Sequence, residues 1–253
     1  MKPKRILITL ALLFTQYAVS EETSAGKRAA EGIERLKKGN EAFLADRGEP
    51  RQNTPRRVEV AAGQHPFASI LTCADSRVPP ETLFSQGLGD LFVIRVAGAI
   101  SEPATLGSIE YAAEHLHVPL LVVMGHTSCG AVKAAMDSKS PARSANLESI
   151  LSAIRPALPY AYQDRDAWTS AVYASVEQTV SDVVRNSPLL DRMARAGLVT
   201  IVGAVYDIQN GRAHFSKPIS LGAPAPVQIQ SQGHEAPKPA VAKSAGHGQP
   251  EHH

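Results

Sequence analysis

The sequence predicts an α/β protein whose central sheet is mainly parallel and flanked by helices. Short apolar runs at 67–72, 91–96, 120–124 and 199–205 alternate with stretches of helical periodicity, a pattern typical of strands joined by right-handed helical crossovers. The last three runs are rich in β-branched residues, as expected for strands that are covered on both faces. A chain of 253 residues is long enough for one such domain with a full core.

Apolar residues recur at helical spacing between the predicted strands. They predict an N-terminal helix, a helix over 105–115 that follows Pro103, and two later helices. We interpret these stripes as core packing, and no internal repeat or linker divides this part of the chain. The stripe residues are Ile33, Leu36, Phe43 and Leu44; Leu106, Ile109 and Ala113; Leu147, Ile150, Leu151 and Ile154; and Val172, Val176, Val180, Val183 and Val184.

The first twenty residues have the pattern of an export signal. A positively charged start is followed by the apolar stretch 6–19 and by the small-x-small triplet that ends at Ser20. The apolar stretch is short for a membrane span, and the alternative is an N-terminal anchor that is not cleaved. We therefore predict a signal peptide over 1–20 and a mature protein that is periplasmic or secreted.

The last segment, 219–253, has the composition of a disordered tail. It contains five prolines, four glycines and no aromatic residue other than histidine, so it lacks the apolar surface that would offset its chain entropy. Its four histidines are compatible with loose metal binding or with solvated polar filler. The predicted folded body therefore covers 21–218.

The net charge argues against two classes of partner. The chain has 26 Lys and Arg against 24 Asp and Glu, and loss of the three basic residues in 1–20 leaves 23 against 24. A mature protein with so little net charge is not drawn to nucleic acid or to an anionic membrane. We expect neither partner once the signal is cleaved.

Reactive side chains follow two of the predicted strands. Cys73, Asp75 and Arg77 come directly after the first strand, and His126 and Cys129 follow the third. Ligands collect at the carboxyl ends of the strands in a parallel sheet. One cysteine with a distant His-x-x-Cys supplies three ligands suited to zinc and leaves a fourth position open. Asp75 is a possible fourth ligand, and Arg77 can hold that carboxylate with two hydrogen bonds.

Other interpretations of these residues stay open at this point. Two cysteines in an exported chain commonly pair, which makes a Cys73–Cys129 disulfide the main alternative. A cysteine nucleophile with His126 as its base is a third possibility, but it leaves the second cysteine without a role. Asp75 and Arg77 are also compatible with an ordinary surface ion pair. The combination of all five residues after buried strands favours the metal site.

The same motifs resemble the β-class carbonic anhydrases. The resemblance rests on 73–79 (CADSRVP) and 126–130 (HTSCG), and the segments 89–95 (GDLFVIR) and 107–112 (GSIEYA) are also similar to that family. It extends over about 33–215, almost the whole folded body. It implies the β-carbonic-anhydrase fold, with 21–218 as the catalytic domain and the N-terminal helix as an arm around a second subunit.

The resemblance also implies a reaction and the residues that perform it. Cys73, His126 and Cys129 are then the ligands of one Zn²⁺ per chain, and Asp75 and Arg77 are the catalytic pair. In the family, the counterpart of Asp75 either accepts a hydrogen bond from zinc-bound water or occupies the fourth zinc position in an inactive closed form. The implied reaction is the reversible hydration of CO₂ to bicarbonate and a proton by a zinc-bound hydroxide. The implied assembly is a homodimer or a higher homo-oligomer.

Some positions depart from the family pattern. Two positions that are Asn in many members are Val96 and Ala99 here, and Ile70 replaces a Trp that a subset uses in an inhibitory bicarbonate site. These changes affect the expected pocket lining and regulation, not the metal ligands. We assign the single tryptophan, Trp168, to packing. The alternatives for function are a hydrolase of carbon disulfide or carbonyl sulfide on the same fold, and a non-catalytic zinc-binding or disulfide-linked structural protein.

Overall fold

The computed structural model describes residues 4–48, 53–137, 142, 144–160 and 166–219, with side chains from residue 24 onward. The five strands in this part of the chain are β1 (Ala68–Thr72), β2 (Leu91–Arg95), β3 (Leu120–His126), β4 (Thr200–Tyr206) and β5 (Ala213–Phe215). They form one sheet in the order β2-β1-β3-β4-β5, in which only β5 is antiparallel to its neighbour. The predicted mainly parallel sheet is confirmed.

Helices connect and cover these strands. They are α1 (Lys4–Leu44), α2 (Thr54–Val60), α3 (Pro80–Leu83), α4 (Pro103–Glu114), α5 (Gly130–Asp137), α6 (Ala145–Ile154), α7 (Ala167–Asn186) and α8 (Pro188–Arg195). Short 3₁₀ turns occupy Ala97–Ala99 and Arg155–Tyr160. Among the described residues, no helix is both long and apolar enough to cross a bilayer.

The predicted helices agree with the observed ones except at their ends and at one side chain. The predicted helix 105–115 is α4, which begins two residues earlier because Pro103 takes its first position and Glu102 and Thr105 form a capping box. The inward residues of α4 and the valines of α7 lie in the core or against it. The prediction that Leu147 is a core residue is wrong, because Leu147 lies in the first turn of α6 and is 47% exposed.

Two sequence predictions concern the ends of the chain. Helix α1 runs without interruption through the predicted signal peptide, and cleavage after Ser20 stays a prediction. The predicted tail lies outside the described residues except for Ile219. That residue packs against the core, and its N–H donates to the Ile201 carbonyl over 3.0 Å.

The core is built on both sides of β1 and β3. All five residues of β1 are buried, and so are Leu120 to Met124 in β3. Buried hydroxyls of β1 strengthen this pairing, because Ser69 donates to the Leu120 carbonyl and Thr72 donates to the Met124 carbonyl. Helix α7 packs closely on β3, where a Cβ at Gly125 would lie 2.6 Å from a methyl carbon of Val176. Only glycine allows that approach without displacement of the helix.

Asn40 ties α1 to the far edge of the sheet. Its side chain is buried, its Nδ2 donates to the carbonyls of Leu83 and Gly211 over 3.1 and 2.9 Å, and its Oδ1 accepts from the Ala213 N–H over 3.0 Å. These bonds hold the loop before β5 and the start of β5 against α1.

Asn40→Ala is therefore expected to lower the free energy of unfolding by about 2–3 kcal/mol, because it leaves buried backbone groups without partners. Urea denaturation measures the change. Asn146→Ala, at an exposed position of α6, is the control and is expected to change stability by less than about 0.5 kcal/mol. Equal effects of the two substitutions would contradict the role of Asn40.

Candidate metal centre

The loops that follow β1 and β3 meet at the carboxyl edge of the sheet. Cys73 directly follows β1, His126 is the last residue of β3, and Cys129 precedes the first residue of α5. Strands β1 and β3 are parallel neighbours, with Thr72 opposite Met124. One ligand atom from each of the three residues lies within 4.8 Å of the other two, and all three residues are buried. The predicted grouping of these residues is therefore present.

The distance between the two sulfurs fits a shared metal ion. Cys73 Sγ and Cys129 Sγ are 4.0 Å apart, and both cysteines are free. A disulfide requires about 2.05 Å. Two thiolates that bind one tetrahedral Zn²⁺ at about 2.3 Å lie about 3.8 Å apart. The alternative of a Cys73–Cys129 disulfide is not what the structure shows.

The two ring nitrogens of His126 have different surroundings. Its Nδ1 lies 2.9 Å from the carbonyl oxygen of Thr127, which identifies Nδ1–H as the donor. Its Nε2 is buried and has no hydrogen-bond partner among the described residues. A neutral imidazole of this tautomer presents a lone pair on Nε2, as a zinc ligand does.

The two thiols shift each other's pKa in opposite directions. A hydrogen bond from the Cys129 thiol lowers the pKa of Cys73, and the same bond together with burial raises the pKa of Cys129 above its ordinary value. This contact favours the thiolate at Cys73 and the thiol at Cys129. A divalent cation between them would favour a second thiolate. Two sulfurs and one imidazole are a donor set that suits zinc.

Backbone N–H groups face the two sulfurs. The Gly98 N–H donates to Cys73 Sγ over 3.4 Å, and the N–H groups of Ala131 and Val132 lie toward Cys129 at the start of α5. Gly98 has a φ of +78°, and a Cβ there would lie 2.7 Å from Ile154 Cδ1. The positive φ favours glycine at this position, and any larger residue would also have to displace the end of the Ile154 side chain.

The predicted Asp75–Arg77 pair is also present. Asp75 Oδ1 accepts from the Arg77 N–H and Nε over 3.0 and 2.9 Å, and Oδ2 accepts from Nη2 over 2.7 Å. The Arg77 guanidinium holds the pKa of Asp75 well below its usual range. Asp75 Oδ2 is also 3.8 Å from the free Nε2 of His126. An ionised carboxylate therefore lies beside the three candidate ligands.

Sequence reasoning gave no role to Arg95, the last residue of β2. Its Nε donates to the Cys73 carbonyl over 3.1 Å, and its Nη2 donates to the Asp75 carbonyl over 2.5 Å. Arg95 thus holds the backbone of the loop that carries both a candidate ligand and the carboxylate. The sequence feature that could have identified Arg95 is its place in the segment 89–95, which is similar to the family.

Trp168 does more than fill space. It packs partly buried against the core, as predicted, but its indole Nε1–H also donates to the Cys129 carbonyl over 3.0 Å.

Val96 and Ala99 occupy the two positions that are Asn in many family members. The Val96 backbone continues the bonding to β1, and Ala99 is buried. Neither supplies a polar side chain near the candidate ligands.

Comparison with known proteins is consistent with this geometry. The family model described as "Carbonic anhydrase" matches residues 68–213. "Carbonic anhydrase 2" of Mycobacterium tuberculosis is 41% identical over 184 residues, which cover 70% of this chain and 88% of that protein. The carbonic anhydrase of Mycolicibacterium smegmatis is 40% identical over 187 residues, which cover 71% of this chain and 89% of its own length.

Solved structures have the same fold. A Coccomyxa β-carbonic anhydrase in complex with acetazolamide is 30% identical, with a TM-score of 0.58 over 64% of this chain and 77% of its own. One of two tetrameric β-carbonic anhydrases from Sordaria macrospora is 27% identical, with a TM-score of 0.57 over 66% and 89%. The chain therefore belongs to the β-carbonic anhydrase family, enzymes whose general reaction is the hydration of carbon dioxide.

Proposed function

We propose that this enzyme binds one Zn²⁺ per chain through Cys73, His126 and Cys129 and uses it to hydrate CO₂ reversibly to bicarbonate and a proton. The observation that supports this proposal most directly is the set of three buried donor atoms within 4.8 Å of one another. The Nε2 of His126 gives further support. It is a buried acceptor without a hydrogen-bond partner among the described residues, and such a group destabilises the fold unless it binds a ligand such as a metal ion.

The metal and the nearby side chains have separate tasks in this proposal. A Zn²⁺ ion bound here would act as a Lewis acid and lower the pKa of a bound water toward neutral pH. The pKa is lowered less with two thiolate ligands than with three histidines. Asp75, held ionised by Arg77, accepts a hydrogen bond from the attacking oxygen and so orients it toward CO₂. Arg77 keeps the carboxylate turned in that direction through its side-chain and backbone contacts.

Asp75 is also proposed as a fourth ligand in a closed state. Its Oδ2 lies 3.8 Å from His126 Nε2, and the closed state requires a rotation that also brings it closer to the two sulfurs. Such a rotation requires the carboxylate to give up contacts with Arg77. Arg77 therefore favours the open arrangement, in which the fourth position is available for reaction.

The first test measures zinc together with activity. Purified protein is expected to contain about one zinc per chain, to lose both zinc and CO₂ hydration on chelation, and to recover both when zinc is restored. Thiol alkylation followed by intact-mass measurement is expected to show two free cysteines. Full activity without zinc, or a quantitative Cys73–Cys129 disulfide in fresh active protein, would refute the proposal. Parallel assays with carbon disulfide and carbonyl sulfide test the alternative substrates.

A second test separates the catalytic pair from the ligands. Asp75→Asn and Arg77→Ala are each expected to retain zinc but to reduce CO₂ hydration by about 10- to 1,000-fold, because they disturb how the attacking oxygen is held. Stopped-flow CO₂ hydration and metal analysis provide the two readouts. Asp191→Asn breaks the ion pair with Arg195 on α8 and is the control, with activity expected to be unchanged. Near-normal activity in either site variant would refute its assigned role.

We also propose that residues 1–20 direct export to the periplasm or outside the cell. Ala25, Ala29 and Leu36 of α1 are buried, and cleavage after Ser20 leaves them in the mature protein. Export predicts a mature chain that begins at Glu21, which intact-mass measurement of the exported protein checks. An N-terminus at Met1 in exported protein would contradict it.

The proposed assembly is a homodimer or a higher homo-oligomer. The two β-carbonic anhydrases of Sordaria macrospora with solved structures are tetrameric. In this chain β2 lies at the end of the sheet, and its residues Leu91 to Ile94 are only partly buried. Light scattering of the purified protein measures the oligomeric state, and a monomer at micromolar concentration would count against this assembly.

A further inference from the structure

Trp168 lies where a helix begins next to the candidate metal centre. It is the second residue of α7, and its backbone is fixed because the Asp166 carboxylate accepts from the N–H groups of Trp168 and Thr169 over 3.1 and 2.9 Å. Helix α7 itself packs on β3 and β4. The indole is therefore attached to a rigid element.

The hydrogen bond of this indole ends on a ligand residue. Nε1–H donates to the Cys129 carbonyl over 3.0 Å, and the same oxygen accepts from the Lys133 N–H over 3.0 Å, the first bond of α5. One carbonyl is thus shared between α5 and α7. Its carbon is bonded to the Cα of Cys129, so its position limits where the Cys129 sulfur can lie.

The residue before Cys129 needs such support. Ser128 has a φ of +58°, a left-handed conformation that a residue other than glycine adopts at a cost. Arg77 Nη2 donates to its carbonyl at the long distance of 3.5 Å. Thr127 Oγ1 accepts from the Ile208 N–H over 3.0 Å on the other side of Ser128. The Trp168 bond to the Cys129 carbonyl is the side-chain contact made to the candidate ligand residue itself.

The other cysteine is held in the same manner. Arg95 donates to the Cys73 carbonyl from β2, as Trp168 donates to the Cys129 carbonyl from α7. We propose that Trp168 is a positioning residue for the metal centre, which holds the Cys129 thiolate at the distance that zinc requires. This inference rests on the proposed function, because it takes Cys129 to be a zinc ligand.

The composition of the chain makes a precise test possible. Trp168 is the only tryptophan in 253 residues, so supplying a tryptophan analogue to an auxotrophic host replaces this side chain alone. The 3-benzothienyl analogue of tryptophan keeps the shape of the indole but has sulfur in place of the N–H. 4-Fluorotryptophan keeps the N–H and is the matched control. Trp168→Phe provides a genetically encoded second variant.

The N–H-deficient protein is expected to release zinc to a chelator about tenfold faster than the unmodified protein, at the low end of effects seen for groups that orient metal ligands. The thiolate-to-metal absorption of its Co²⁺-substituted form is expected to shift, because that band depends on the geometry at sulfur. The 4-fluorotryptophan protein is expected to match the unmodified protein in both measurements. The melting temperature of the metal-free form is expected to be similar in all three.

The outcomes separate this inference from the function on which it rests. Unmodified protein that binds no zinc would refute the proposed function and, with it, the role of Trp168. Zinc binding by the unmodified protein with the same release rate and the same Co²⁺ spectrum in the 3-benzothienyl protein would overturn the positioning role alone. If Trp168→Phe does not fold, the 3-benzothienyl protein decides the question.

Discussion

The parallel pairing of β1 with β3 is the constraint on which the site depends. Cys73 and Cys129 are 56 residues apart in the chain, yet their sulfurs are 4.0 Å apart because each follows one of two neighbouring parallel strands. Buried hydroxyls of Ser69 and Thr72 add side-chain bonds to this pairing and hold its register. A slip of one residue would turn alternate side chains to the opposite face and separate the donors.

Just beyond the ends of these strands, backbone bonds between neighbouring segments continue from Ala74 to Val96 and from Thr127 to Tyr206. Side chains add to them by binding the carbonyls of the ligand residues, Arg95 on Cys73 and Trp168 on Cys129. Gly98 adds a backbone N–H to the Cys73 sulfur from a turn with positive φ. The geometry of the centre is therefore imposed from β2 with the turn that follows it, and from α7, which lies much later in the sequence.

The charges around the centre complete the arrangement. The contact between the two sulfurs favours the thiolate at Cys73, and Arg77 holds Asp75 ionised beside them. The Nε2 of His126, which has no hydrogen-bond partner among the described residues, lies in the same group of donors. A buried group of donors with negative charge and an unpartnered nitrogen is poorly solvated by itself, and a divalent cation would relieve both.

Local pattern in the sequence was enough to predict the four parallel strands, the helices with strong apolar stripes and the five residues at the carboxyl edge of the sheet. Those features depend on periodicity and on short motifs, which are visible without the fold. The antiparallel strand β5, the exposure of Leu147 and the contacts of Arg95 and Trp168 were not predicted. Strand β5 has only three residues, too few for a period to show. Trp168 meets the Cys129 carbonyl across 39 residues of chain, and only the packing of α7 on the sheet decides which backbone group its N–H can reach.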